Sequence, residues 1–311
     1  MTKLIKLLNK PEYLYQPSRI ARRILSKRPD PGREILVVQL PWNLPLEVNR
    51  NETIGRSISH HGIFELSLVE AIFRLVDRSD VVLDVGANLG YMTAVAISAG
   101  AKKVFSFEPH PDIFARLSRN MDMWIKARPE LSGKLVPQRT AVSSKPGVVI
   151  LNIPERSFKT NYGLATLEIE EGQAKNRYTQ IEVPATTLDS IIDEVKEPIG
   201  VLKIDIEGHE LQAFTGGKKS LTSSTVRDIF YEDHHGMASN ASQLLSSFGY
   251  TIFGLNKTPL GPILLKNQAD VERFARRSFE GSTNFLATLD SDRAKRRMSG
   301  WGYRSLRGSY R

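Results

Sequence analysis

An α/β fold on an open, mostly parallel sheet is what this 311-residue chain predicts, and three stretches predict it. The first is Val81-Val82-Leu83-Asp84-Val85-Gly86-Ala87-Asn88-Leu89-Gly90, where a short apolar run reads as a buried parallel strand and Gly86 to Gly90 as a tight turn. The apolar run Met92 to Ile97 then reads as a helix, so this strand, turn and helix bring backbone close to a ligand. The second stretch, Val104 to Phe107, ends in Glu108, twenty-four residues after Asp84. An acidic residue at that remove sits at the carboxyl end of the neighbouring strand, where it can accept both hydroxyls of a ribose. The third stretch, Val201 to Glu210, places Val201, Lys203, Asp205 and Glu207 on one strand face by alternation, with Leu202, Ile204 and Ile206 on the other. Charges on a core strand are costly unless they serve a purpose, and the carboxyl edge of a parallel sheet is where ligands bind.

The turn narrows the ligand. A dinucleotide fold needs G-x-G-x-x-G, whose helix N-terminus faces a pyrophosphate. Here an acidic residue inside the strand, Asp84, precedes G-x-N-x-G. A carboxylate repels a pyrophosphate and attracts the ammonium of a methionine moiety, which favours S-adenosylmethionine over a nicotinamide dinucleotide. The alternative is an ordinary βα turn in an unrelated α/β protein.

Composition sets the bounds. A 41% hydrophobic content supplies a core, no run reaches the length of a membrane span, and no signal-peptide pattern is present. With no cysteine there are no disulfides, thiolate ligands or cysteine nucleophile, and a cytoplasmic location is the expectation. The net charge of +9 lies at the ends: residues 1–33 hold nine Lys/Arg against Glu12 and Asp30, residues 291–311 hold seven against Asp292, and the body between is left at −4. Basic ends suit anionic lipid, nucleic acid or a polyanionic carrier, or serve as solvated tails. The expected organisation is a basic helical N-terminal extension (1–33), a catalytic domain (34–290) and a basic C-terminal tail (291–311).

Taken in order, Leu4, Ile5, Leu7 and Leu8 interleave with lysines, and Ser18 to Ser26 forms a second short basic amphipathic segment. Such pieces lie on a membrane surface or pack on their own domain or a partner. Pro29-Asp30-Pro31-Gly32 breaks the chain. Glu34 to Leu40 and Leu46 to Val48 read as strands across a Pro41-Trp42-Asn43 turn, and Gly62 to Val76 as an amphipathic helix. Pro109-His110-Pro111 starts a helix with Phe114, Leu117 and Met121 buried. Leu135-Val136 and Thr140 to Ser143 read as the third parallel strand and its exit turn, which makes the backbone around Ala141 the candidate for adenine recognition. Val148 to Ile153 and Ile181 to Thr187 read as antiparallel strands around a polar excursion, Pro154 to Gln180, long enough to shape a substrate pocket. Thr187 caps a helix through Val195, Val226 to Tyr231 is a fifth strand ending in Glu232-Asp233-His234-His235, and Ser242 to Phe248 is a helix. Thr251 to Leu255 and Asn284 to Leu289 form a closing antiparallel pair.

At this point the chain resembles the FkbM-type class I S-adenosylmethionine-dependent methyltransferases. The resemblance rests on VVLDVGANLGYMT, VFSFEPHPDIF, TAVSSKPG, VPATTLDSI, LKIDIEGHELQAFTGG and the strand ending YEDH, in that order, over roughly residues 35 to 290. It implies a Rossmann-like seven-stranded sheet and methyl transfer to a hydroxyl of a sugar, glycan or secondary metabolite. By that pattern Asp84, Gly86, Asn88, Gly90 and Glu108 match cofactor positions, and Asp205, Glu207 and Glu232 match the acidic positions around the reaction centre.

A sulfonium methyl is already activated, so the enzyme must align an acceptor oxygen and remove its proton. Glu207 is the first choice of base, supported by Asp205, with Glu232 holding a substrate hydroxyl and His209 and His234 in reserve. A magnesium ion on Asp205, Glu232 and Asp233 is conceivable as hard-oxygen chemistry, but plain charge pairing without metal is the expectation because no compact ligand motif is present. A nucleic-acid or other N-methyltransferase fits the basic ends but not Asp205-Ile206-Glu207-Gly208, where base methylases carry an Asn/Asp-Pro-Pro-aromatic turn. A non-catalytic S-adenosylmethionine-binding protein remains the other alternative.

Overall fold

A computed structural model describes residues 11–12, 34–154, 165–168, 178–275 and 284–307. Both basic segments expected near the N-terminus, most of the polar excursion and residues 308–311 lie outside the described residues.

From residue 34 on, the described chain begins with a hairpin, β1 (Ile35–Gln39) and β2 (Pro45–Asn49), turned at Asn43 in left-handed backbone. Helices α1 (Thr53–His61) and α2 (Leu66–Leu75) lead to β3 (Val81–Val85), α3 (Tyr91–Ala99), β4 (Lys103–Phe107), α4 (Pro111–Ala127) and β5 (Leu135–Gln138). A small sheet follows, built from β6 (Ala141–Val142), β7 (Gly147–Pro154) and β8 (Tyr178–Thr186). Then come α5 (Leu188–Val195), β9 (Ile199–Ile204), α6 (Glu210–Thr215), α7 (Lys218–Thr222), β10 (Val226–Glu232) and α8 (Asn240–Ser247). The chain closes with β11 (Thr251–Thr258), β12 (Gly261–Leu265), α9 (Gln268–Ala275), β13 (Asn284–Thr288) and α10 (Ser291–Met298).

The main sheet has eight strands in the order β12-β11-β13-β10-β9-β3-β4-β5. Strands β5, β4, β3, β9 and β10 are parallel, and β13, β11 and β12 continue antiparallel. The eighth strand is β12, an edge hairpin partner of β11 beyond the seven expected. Strand alternation feeds two cores. Val82 joins α2, α3 and α4 on one face, while Val81, Leu83 and Val85 join α5, α6 and α8 on the other. Because the chain runs outward from β3 through β4 and β5 and returns at β9, the strand order reverses between β3 and β9, the place where open α/β sheets bind ligands.

Three expectations need correction. The Gly62 to Val76 helix starts at Leu66: Gly62 (φ 76°) instead ends α1, and Glu65 (φ 48°) sits in left-handed backbone just before α2. Ala141 and Val142 are not an exit turn of β5 but pair in parallel with Ala185 and Thr186 in the small sheet. The basic segment after residue 290 packs on the body through residue 307. Arg293 binds Asp77 and Asp228 at 2.7 and 2.9 Å, and Arg297 binds Asp77 at 2.6 Å. Beside them the fully buried Arg74 bonds Glu70 at 2.6 Å and donates to the carbonyl of Gly302 at 2.7 Å. Glu70 in turn accepts the N–H groups of Arg304 and Ser305 at 3.0 and 2.9 Å. At the other end, Glu12 is buried against Lys257 of β11.

Candidate active site

The site grows from the turn after β3. Gly86 (φ 74°) lies so close to β9 that a Cβ there would stand 1.9 Å from the carbonyl oxygen of Asp205. Only glycine meets both demands, left-handed backbone and contact with a neighbouring main chain. The turn is tied to β4, since Gly86 N and Ala87 N both donate to Phe107 O at 3.0 Å. Asn88 is also left-handed (φ 49°), and its N–H donates to Glu108 Oε2 at 3.0 Å. The other oxygen of Glu108 accepts from His110 N at 2.9 Å. Burial pushes the Glu108 carboxyl up to about 7 despite those two N–H groups and the Lys203 charge.

Behind the turn lies a buried charge set. Lys203 Nζ donates to Gly86 O at 3.0 Å and stands 3.6 Å from Asp84 Oδ1 and 3.5 Å from Asp205 Oδ2. Asp84 Oδ2 accepts from Thr93 Oγ1 at 2.6 Å. For Lys203, burial alone would lower the pKa, but the Asp205, Asp84 and Glu65 charges outweigh it and hold the ammonium above its ordinary value. Lys203 thus stands between Asp84 and Asp205 and holds the turn through Gly86 O.

A cavity of about 270 Å³ runs along the carboxyl ends of β3, β4, β9 and β10. It is lined by Gly86, Asn88, Glu108, Ala141, Asp205, Glu207 and Glu232 from the sequence-based set. Asp84 and Gly90 are not part of the lining. A Cβ on Gly90 (φ 87°) would meet Leu117 and Trp124 at 2.6 and 2.9 Å, so that glycine lets α3 approach α4. Glu207 does not arrive by strand alternation, because β9 ends at Ile204. It enters through left-handed backbone (φ 53°), with its carbonyl held by Thr166 Oγ1 at 2.8 Å. Burial, and then the Asp205 and Glu232 charges, push the Glu207 carboxyl up to about 8.

Glu65 also lines the cavity and was not among the expected residues. Its loop is fixed by Tyr91, whose hydroxyl accepts from Phe64 N at 3.0 Å. Asn284 Nδ2 donates to Glu65 Oε1 at 3.2 Å, and burial together with Asp205 and Glu232 raises the carboxyl to about 8. The one signal in the sequence was an acidic residue between Phe64 and Leu66 in an otherwise apolar run.

The reserve histidines stand elsewhere. His209 bridges Ser143 Oγ at 2.8 Å and Glu168 Oε1 at 2.9 Å outside the cavity lining, and His234 is largely exposed. Among the described residues no three carboxylate or imidazole side chains converge as a metal-ligand group.

A switch-point cavity with a glycine turn on one strand and an acidic residue on the next is where an open α/β sheet takes a nucleoside ligand. Comparison with known proteins narrows the class. The methyltransferase FkbM domain matches residues 84–252, more than half of the chain, and the protein belongs to that family. The hexuronic acid methyltransferase AglP of Haloferax volcanii is 29% identical over 185 residues, 58% of this chain and 68% of that protein. Among solved structures, methyltransferase FkbM from Methylobacillus flagellatus aligns at 16% identity with a TM-score of 0.44, covering 68% of this chain. This chain spans only 45% of that protein. Precorrin-6y C5,15-methyltransferase from Geobacter metallireducens aligns at 10% identity with a TM-score of 0.38, covering 72% of this chain and 88% of that one.

Proposed function

We propose that the protein methylates a hydroxyl of a sugar or glycan residue, with S-adenosylmethionine as donor. The observation that carries this reading is one cavity joining the glycine turn and Glu108 to Asp205, Glu207 and Glu232. The relative named as a hexuronic acid methyltransferase supports the sugar.

The residues present fit the donor. Asn88 Oδ1 is buried at the cavity without a hydrogen-bond partner among the described residues, ready for a ligand hydroxyl or amine. Glu108 is the proposed partner of the ribose hydroxyls and the Ala141 backbone that of the adenine, a reading supported by their shared place with Gly86 in the cavity lining. When bound, the cofactor supplies a methyl group on a sulfonium, activated for attack by oxygen.

An alcohol attacks poorly until it loses its proton, so the chain's own task is to hold the hydroxyl within about 3 Å of the methyl carbon and take that proton. Glu207 is the proposed base. Its carboxyl, raised to about 8, falls towards neutrality beside a cation, into the range where a general base works best. Asp205 shares the Lys203 ammonium and keeps the turn in place, and Glu232 accepts a hydroxyl of the acceptor. No helix among the described residues is long and apolar enough to cross a membrane.

The test is incubation with methyl-labelled cofactor and a glycan and metabolite extract, followed by identification of the labelled product. A methyl ether on a sugar residue is expected. Label on nitrogen or on nucleic acid refutes the reading, and cofactor binding without any transfer marks a non-catalytic protein.

A further inference from the structure

The small sheet touches the turn that carries Glu207. Asn152 of β7 pairs antiparallel with Thr166: Asn152 N donates to Thr166 O at 2.8 Å, and Thr166 N donates to Asn152 O at 3.0 Å. The Asn152 side chain adds a third link, donating from Nδ2 to Thr166 O at 3.2 Å while its Oδ1 accepts from Gln180 of β8 at 2.7 Å. From this anchored segment Ala165 and Leu167 line the cavity, whereas Thr166 and Glu168 bond to the turn between β9 and α6. The Thr166 oxygen accepts from Glu168 N at 3.1 Å, and its hydrogen goes to the Glu207 carbonyl oxygen at 2.8 Å. Two residues beyond Glu207, His209 stands with Nδ1 2.9 Å from Glu168 Oε1 and Nε2 2.8 Å from Ser143 Oγ, so the turn is held on both sides of Gly208. That turn needs holding. Glu207 (φ 53°) and Gly208 (φ 92°) are consecutive left-handed residues, and a non-glycine residue keeps such backbone only where its surroundings over-determine it. Asp205 N on Val85 O at 3.1 Å and Ile206 N on Glu210 Oε1 at 2.9 Å fix the two residues before Glu207, and the Thr166 hydroxyl fixes Glu207 itself.

We propose that Thr166 is a positioning residue for methyl transfer: through the Glu207 carbonyl it sets the direction in which the Glu207 carboxyl enters the cavity, and with it the distance to the acceptor hydroxyl. The inference rests on the reading of Glu207 as the base. A base works only within hydrogen-bond reach of the proton it takes, and a displacement of about 1 Å costs on the order of 10²-fold in rate. The small sheet between β5 and β9 thus braces the base from behind, while Ala165 and Leu167 on the same segment form part of the cavity wall.

The test measures label transfer from methyl-labelled S-adenosylmethionine, at saturating donor, to the glycan and metabolite extract. The full chain is compared with Thr166→Val, Thr166→Ser, Glu207→Gln, and Thr166→Val combined with Glu207→Gln, and calorimetry gives the S-adenosylhomocysteine affinity of each. Thr166→Val keeps the shape and removes the hydroxyl, so transfer is expected to fall about 10- to 100-fold with S-adenosylhomocysteine affinity within about twofold of the parent. Thr166→Ser keeps the hydroxyl and is expected to stay within about threefold of the parent rate. Added to Glu207→Gln, Thr166→Val should slow transfer by less than about threefold further, because the group it aims is gone. Parent-like transfer by Thr166→Val, a Thr166→Ser rate as low as that of Thr166→Val, a loss of S-adenosylhomocysteine affinity as large as the loss of rate, or an undiminished effect of Thr166→Val beside Glu207→Gln each overturns the proposal and leaves methyl transfer intact. If Thr166→Val does not fold, Thr166→Ala takes its place in the same comparison. Parent-like transfer by Glu207→Gln overturns the proposal together with the base, and no transfer by the parent overturns it together with the methyl-transfer reading.

Discussion

Replacing Gly86 by alanine tests the idea that the β3 and β9 tips must touch. Two costs add. A side chain at φ 74° sits in left-handed backbone, which costs about 1–2 kcal/mol for an L-residue. The new Cβ also falls 1.9 Å from Asp205 O, a backbone atom that cannot swing aside, and such overpacking costs about 1–3 kcal/mol more. The total is about 2–5 kcal/mol. Gly208 supplies the control: its φ is 92°, but a Cβ there meets nothing within 4 Å, so Gly208→Ala bears only the conformational cost, about 1–2 kcal/mol. Urea denaturation of both variants beside the parent protein measures the difference. Cofactor titration adds a second readout, because Gly86 O is the acceptor for Lys203 and its displacement moves the ammonium. If the two variants lose the same stability within about 0.5 kcal/mol, the close approach is not what requires glycine at this position.

Three further outcomes follow from the same geometry. Glu207→Gln is expected to lower kcat by about 10²- to 10⁴-fold with S-adenosylhomocysteine binding retained; a kcat within threefold of the parent removes Glu207 from the role of base. Between about pH 6.5 and 8 thermal stability of the ligand-free protein should fall. There the folded state still binds protons on Glu65 and Glu207, raised to about 8, which the unfolded state, near 4.5, has lost. The lowered His110 and His209 oppose this fall only at the acid edge of the window, where the unfolded imidazoles, near 6.5, still hold part of a proton, so melting temperatures that stay level or rise from about pH 7 to 8 contradict the assignment. Glu70→Leu strands the fully buried Arg74 and the N–H groups of Arg304 and Ser305, and should cost about 3–5 kcal/mol in chemical denaturation; a loss under about 1 kcal/mol means the C-terminal segment is not fastened this way.

What the sequence could show was whatever is written in neighbouring residues. Val81 to Val85 and Val201 to Ile204 read correctly as buried parallel strands because strands covered on both faces are continuous apolar runs, and the carboxylates after them marked the binding edge. What it hid depends on distant partners. Lys203 answers to Asp84, and Arg293 and Arg297 find Asp77 more than two hundred residues upstream, so the last segment looked like a charged tail. Ala141 and Val142 are too short a strand to show a period, and only their pairing with β8 defines them. Glu65 and Glu207 both reach the cavity by left-handed backbone at non-glycine residues, a conformation that no local preference announces.

The place of β13 bears on how the protein is made. It is the last strand of the sheet to be synthesised, yet it lies between β10 and β11 rather than at a margin. Until residues 284–288 emerge from the ribosome, β10 presents a bare row of peptide groups and the β11–β12 hairpin has no place to dock. Sheet closure therefore waits for residues 284–288, and a nascent chain stalled before that strand carries an open seam through the sheet that chaperones would have to guard.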